Sequence, residues 1–154
     1  NLPLAQRDDV IVFQTPPLEE DTTVAGELLA SFWVSSSAPD TDFSVKLIDV
    51  HPPSPSWPEG FAMNLQDAIV RMRYRNGRRT PELIKPGEVY EVELPIHSTA
   101  NVFKKGHRIR IDVACGDSPA LDFGGHYFGI KVGADTYYHD AEHPSHVILP
   151  VIPA

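Results

Sequence analysis

With 154 residues, 13 Lys and Arg against 21 Asp and Glu, and a formal charge of −8, the chain is one domain's worth of polypeptide, long enough to bury roughly 70% of the surface its unfolded form exposes. That charge repels phosphate backbones and anionic lipid, which argues against nucleic-acid and membrane partners, and no apolar run reaches the ~20 residues of a membrane helix. The single cysteine, Cys115, excludes an internal disulfide, fits a reducing, cytoplasmic compartment, and is expected to pack as a small hydrophobe at a strand end. The amino end, NLPLAQRDD, has neither the basic start nor the apolar core of a signal peptide and carries no initiator methionine, as expected of a piece of a longer chain.

Two-residue periodicity runs along most of the sequence, and no convincing 3.6-residue stripe replaces it. Strands are predicted at VIVFQT (10–15), VAGELLASFWVSS (24–36), FSVKLIDVH (43–51), FAMNL (61–65), AIVRMRYR (68–75), VYEVELPIH (89–97), HRIRIDVA (107–114) and SHVILPV (145–151), all rich in β-branched and aromatic residues. Between them stand turn signals: Pro16-Pro17, Pro39-Asp40, the proline-rich run from Pro52 to Pro58, Asn76-Gly77, Pro86-Gly87, Lys105-Gly106 and Gly124-Gly125. About eight strands at this spacing predict an all-β fold, a single jelly-roll β-sandwich over 1–154. A helix is least disfavoured at 66–70 or 118–122, and either would be short.

Strand faces are readable in the middle of the chain. Ala68, Val70, Met72 and Tyr74 fall on one side of their strand and Arg71, Arg73 and Arg75 on the other. Tyr90, Val92, Leu94 and Ile96 likewise point one way, with Glu91 and Glu93 opposite. If these strands pair as a hairpin, arginines face glutamates across the ladder, each pair contributing roughly 0.2–1 kcal/mol. The cationic row then has a structural role and is not an anion-binding surface.

HDAEHPSHVILP, residues 139–150, carries three chemical readings. His139, Glu142 and His143 spell the H-x-x-E-H of an inverted zinc peptidase, Asp140 and His143 the D-x-x-H of a serine hydrolase, and the histidines together could hold a metal, completed by His126 and His146. A zinc peptidase needs both histidines on a rigid helix with an acidic ligand far downstream; Pro144 follows His143 at once and only a short tail remains. The serine reading draws on Gly116-Asp117-Ser118, which follows a predicted strand. The segment from Ser118 to Asp140 is short and glycine-rich, Pro119 removes an N–H that would help hold an oxyanion, and no G-x-S-x-G elbow occurs.

APDTDFSVKLIDVHP (38–52), NLQDAIVRMRYR (64–75), KPGEVYEVELPIHSTANVFKKGHRIRIDVA (85–114) and HPSHVILPVIP (143–153) resemble the C-terminal β-domain of the X-Pro dipeptidyl-peptidase and cocaine-esterase family of serine hydrolases. The most specific parts are D-T-D-F at 40–43 and N-V-F-x-x-G-H-R at 101–108. Proteins of that family join an α/β-hydrolase domain and a helical cap to a jelly-roll third domain. The resemblance implies that the catalytic triad lies in the α/β domain and that no position here matches it, so no catalytic, cofactor-binding or metal-ligating residue is expected. It also makes HDAEHPSH the turn into the final strand, satisfying backbone groups at a tight corner.

The implied role is packing against the α/β-hydrolase and cap domains of the same parent chain, over an interface of ~600–1,500 Å². Trp57, Asp122, Phe123, Tyr127 and Phe128 are the candidate interface or ligand-facing residues, and the bared patch could drive homo-oligomer formation. Two departures fall on these residues. PPSPSWPEG (52–60) is longer than the family's short Pro-Asp-Gly turn, and Phe123-Gly124-Gly125 stands where Arg-Asn is expected. The alternative is a free-standing carbohydrate-binding module with Trp57, Tyr127, Phe128, Tyr137 and Tyr138 as a stacking platform beside Asp122 or Asp140. A self-sufficient hydrolase would have to depend on Ser118. An ester, a β-lactam amide and an X-Pro peptide are not separable as the parent's substrate.

Overall fold

The computed structural model describes residues 10–77, 79–115 and 134–153. Among these, nine strands follow one another: β1 (Val10–Gln14), β2 (Thr22–Ser36), β3 (Asp42–His51), β4 (Phe61–Arg71), β5 (Tyr90–Phe103), β6 (Arg108–Cys115), β7 (Asp135–Tyr138), β8 (His146–Ile148) and β9 (Val151–Ile152). They form two antiparallel sheets. One has the order β1-β6-β3-β4; in the other β2 pairs with β5 along one edge and with β7, β8 and β9 along the other. The result is the expected all-β sandwich.

Alternation in the sequence builds the space between the sheets. From β2 come Val24, Leu28, Ala30, Phe32 and Val34, from β3 Phe43, Val45 and Leu47, and from β5 Val92, Leu94 and Ile96, all buried. Each contributes roughly 1.5–3 kcal/mol through removal of its side chain from water, Ala30 less. Phe32 meets Phe43 across the gap edge to face, with centroids 6.0 Å apart and planes at 60°, an arrangement aromatic rings favour. Cys115 ends β6 half-buried against this core.

Several expectations need correction. The stretches 61–65 and 68–75 are not separate strands: β4 runs through residues 66–70, where a helix was conceivable, because Leu47 pairs with Gln66, Lys46 with Asp67 and Val45 with Ala68. A bulge at Leu65 absorbs the change of register, and Gln66 Nε2 donates to the Ser98 carbonyl of β5 at 2.8 Å, tying the sheets together. After Arg71 the chain turns through a 3-10 segment, Met72–Tyr74. Met72 stays buried, whereas Tyr74 is rotated outward and exposed rather than facing the core. The alternative helix at 118–122 lies outside the described residues.

The hairpin between the arginine and glutamate strands does not form either, since β4 and β5 belong to opposite sheets. Arg71 instead grips Asp42 through two bonds at 2.8 and 3.0 Å. Asp40 accepts from both the backbone N–H and the side chain of Arg73, and Arg75 reaches Glu82 at 3.3 Å while lying 4.7 Å above the Tyr90 ring. The arginines are structural, but the acids of Arg71 and Arg73 come from the D-T-D segment that leads into β3, and that of Arg75 from Glu82. The predicted strand at 145–151 is divided into β8 and β9, because Pro150 has no N–H for the ladder; its carbonyl still accepts from Ala25 at 3.0 Å. β7 is a strand that the periodicity did not show.

Candidate functional site

The corner 139–146 lies between β7 and β8 and is a turn, not a helix. Asp140 Oδ1 accepts the backbone N–H groups of Glu142 and His143, both at 2.9 Å, and contacts His143 Nδ1 at 3.1 Å. The bond to His143 is the main cause of an Asp140 carboxyl pKa held below its ordinary value, helped by the two backbone donors. The His143 ring packs against Trp33 and Tyr138, 5.2 and 5.1 Å between centroids. Ser145 Oγ accepts from the Trp33 N–H at 2.9 Å and donates to the Tyr138 carbonyl at 2.6 Å. His146 Nδ1 donates to the Pro144 carbonyl at 2.8 Å, and His139 lies edge-on to Phe13, 5.5 Å away. These polar groups close a corner and fix the chain's return onto β2. Ser118 and His126, which the serine and metal readings require, lie outside the described residues.

The β3–β4 connection presents the second candidate. Ser54 and Trp57 exchange backbone hydrogen bonds at 2.9 and 3.0 Å, and Gly60 N–H donates to the Trp57 carbonyl at 2.9 Å. Gly60 adopts φ +81°, and a Cβ there would stand 2.6 Å from the His51 carbonyl, so only glycine fits. So held, the Trp57 ring stacks on Phe61 with centroids 4.8 Å apart and planes at 27°. Trp57 is 54% exposed, Phe61 38% and Met63 45%, making an apolar patch at one end of the sandwich. Of the other candidate interface or ligand-facing residues, Asp122, Phe123, Tyr127 and Phe128 lie outside the described residues. Tyr137 and Tyr138, proposed for a sugar platform, serve packing instead. The Tyr137 ring sits against Phe13 and Phe32, 5.7 and 6.1 Å away, with burial raising its hydroxyl pKa, and Tyr138 shares a hydrogen bond with Ser35 at 3.0 Å.

A third group escaped the sequence reading. The inward row of β3 runs Phe43, Val45, Leu47 and then, where it leaves the core, Asp49 and His51. Asp49 is only 3% exposed. Its Oδ1 receives His107 Nδ1 at 2.9 Å from the turn before β6, and Asn101 Nδ2 on β5 approaches Oδ2 at 3.4 Å. The signal in the sequence is the polar continuation of an apolar period-two row. His107 could not be joined to it without knowing that β3 pairs with β6.

Two packed antiparallel sheets, with a polar corner closed on itself and an apolar patch at one end, make an all-β sandwich. The chain matches the model of the X-Pro dipeptidyl-peptidase C-terminal non-catalytic domain over residues 3–148, and it belongs to that family. It is 40% identical to the cocaine esterase of Rhodococcus sp. (strain MB1 Bresler), over 97% of this chain and 27% of the esterase. An aminopeptidase from a marine sediment Thaumarchaeota archaeon superposes with a TM-score of 0.84 at 30% identity, over 97% of this chain and 27% of that one. An α-amino acid ester hydrolase does so with a TM-score of 0.84 at 29% identity, over 95% and 26%. The chain thus spans about a quarter of the length of these relatives.

Proposed function

We propose that this chain is the C-terminal domain of a longer serine hydrolase acting on an ester or amide acyl bond, and that it packs on the α/β-hydrolase and cap domains of that parent and helps to shape their cleft. The observation that carries this reading is the patch of Trp57, Phe61 and Met63. A fixed loop holds an aromatic ring in water, which is unfavourable unless a partner surface covers it. The chain spans about a quarter of its relatives' length, which supports a partner surface within the same parent chain. In this role the sandwich contributes a rigid wall and buried apolar area, while nucleophile, base and oxyanion donors come from the catalytic domain.

Oxidative footprinting tests the reading. Trp57, Phe61 and Met63 should be modified several-fold more slowly in the parent protein, expressed from the coding sequence upstream of Asn1, than in the 154-residue chain. Equal labelling in both would overturn the docking surface. Absence of a G-x-S-x-G elbow upstream would overturn the parentage.

A further inference from the structure

We propose that Asp49, His51 and His107 form a binding site for a divalent transition metal of the zinc class, in the mouth between the sheets. Among the described residues they are the one group of three such side chains whose ligand atoms converge, each within 4.8 Å of the others. Two imidazoles and a carboxylate are a donor set suited to zinc, with a fourth position left for water.

The second, independent observation is an orphaned atom. His51 Nε2 is buried and has no hydrogen-bond partner, although it lies 3.5 Å from Asp49 Oδ2. A buried ring nitrogen without a partner is costly, and a bound cation is one of the few things that satisfies a lone pair there. The rings of His51 and His107 are 4.2 Å apart, close enough for one ion to bond a nitrogen of each. It would replace the proton on His107 Nδ1, that ring keeping its proton on Nε2, and Asn101 would orient the Asp49 carboxylate from outside the ligand shell.

The scaffold supports the set. Asp49 and His51 stand two apart on one face of β3. The turn carrying His107 is anchored by the Gly106 N–H to the Leu18 carbonyl at 2.9 Å and by the Leu18 N–H to the His107 carbonyl at 2.8 Å. His51 also touches Phe61, with centroids 5.8 Å apart. An ion would therefore fasten the end of β3 to the start of β6 directly behind the exposed aromatic patch. This proposal does not depend on the docking reading.

Isothermal titration of the metal-free 154-residue chain with zinc tests the site. One zinc per chain is expected, with a melting temperature that rises with zinc concentration. His51→Phe keeps the ring packed on Phe61 but removes the ligand nitrogen, and should weaken binding ~10-fold or more. His143→Ala, in the corner, should bind as tightly as wild type. A folded wild-type chain that takes up no zinc overturns the proposal. So does unchanged affinity in His51→Phe, or an equal loss in His143→Ala. Should His51→Phe fail to melt cooperatively, His51→Gln with cobalt(II) decides: wild type should develop the d–d absorption of a low-coordinate site and the variant should not, and identical spectra contradict the assignment.

Discussion

The corner at 139–146 and the mouth at Asp49 use the same chemistry, a carboxylate beside imidazoles, and end in opposite states. At the corner Asp140 and His143 are three residues apart, the one exposed and the other half-buried, and are satisfied by each other and by the backbone of the turn they sit in. In the mouth Asp49 and His107 are 58 positions apart, largely buried, and leave a neighbouring imidazole nitrogen without a partner. The contiguous group reads like an active site and closes a turn; the group that the fold assembles is the one with unsatisfied chemistry. Closeness in sequence lets a polar side chain bond its own backbone at little entropic cost. Tertiary burial removes the water that would otherwise satisfy it.

Three substitutions sharpen this contrast. The largest effect should come from Asp49→Ala, measured by chemical denaturation without added metal. It removes the partner of His107 Nδ1 and of Asn101 Nδ2 and should cost about 2–3 kcal/mol, the upper part of the range for leaving buried polar groups unpaired. A loss no larger than that of an exposed substitution would show that the mouth is wetter than its geometry implies. Ser145→Ala comes next, since it leaves the Trp33 N–H and the Tyr138 carbonyl without their shared partner. About 1–3 kcal/mol should be lost, and an unchanged denaturation midpoint would mean that the corner is not held by this residue.

The smallest effect belongs to Asp140, which is exposed. Its pKa is lowered by His143 and by the turn's N–H groups, so its charge stabilises the folded chain above the ordinary aspartate pKa, and that contribution disappears as pH falls through the lower folded value. The melting-temperature difference between wild type and Asp140→Asn should therefore be present at neutral pH and vanish in acid. A difference that persists or grows in acid would contradict the assignment of charge at the corner.

How much the sequence disclosed follows the same division between local and distant. Alternation placed the inward rows of β2, β3 and β5, because one buried face imposes a period of two on each strand. Pairing was a different matter. The outward arginines and glutamates of two consecutive strands invite a hairpin, yet Asp40 and Asp42 claim Arg73 and Arg71 and hold β4 against β3. β7 was missed because four residues, DTYY, are too few to show a period. At the candidate sites, Trp57 stood out as an aromatic among prolines. Its stacking on Phe61 and the convergence of Asp49, His51 and His107 depend on contacts that no local pattern carries.

The claim that this domain acts by packing and not by breaking bonds is tested most directly by turnover of a nitrophenyl ester. The 154-residue chain should hydrolyse it at the background rate, and Ser118→Ala and His143→Ala should make no difference. Turnover above background that falls in either variant would place catalysis in this chain and contradict the claim.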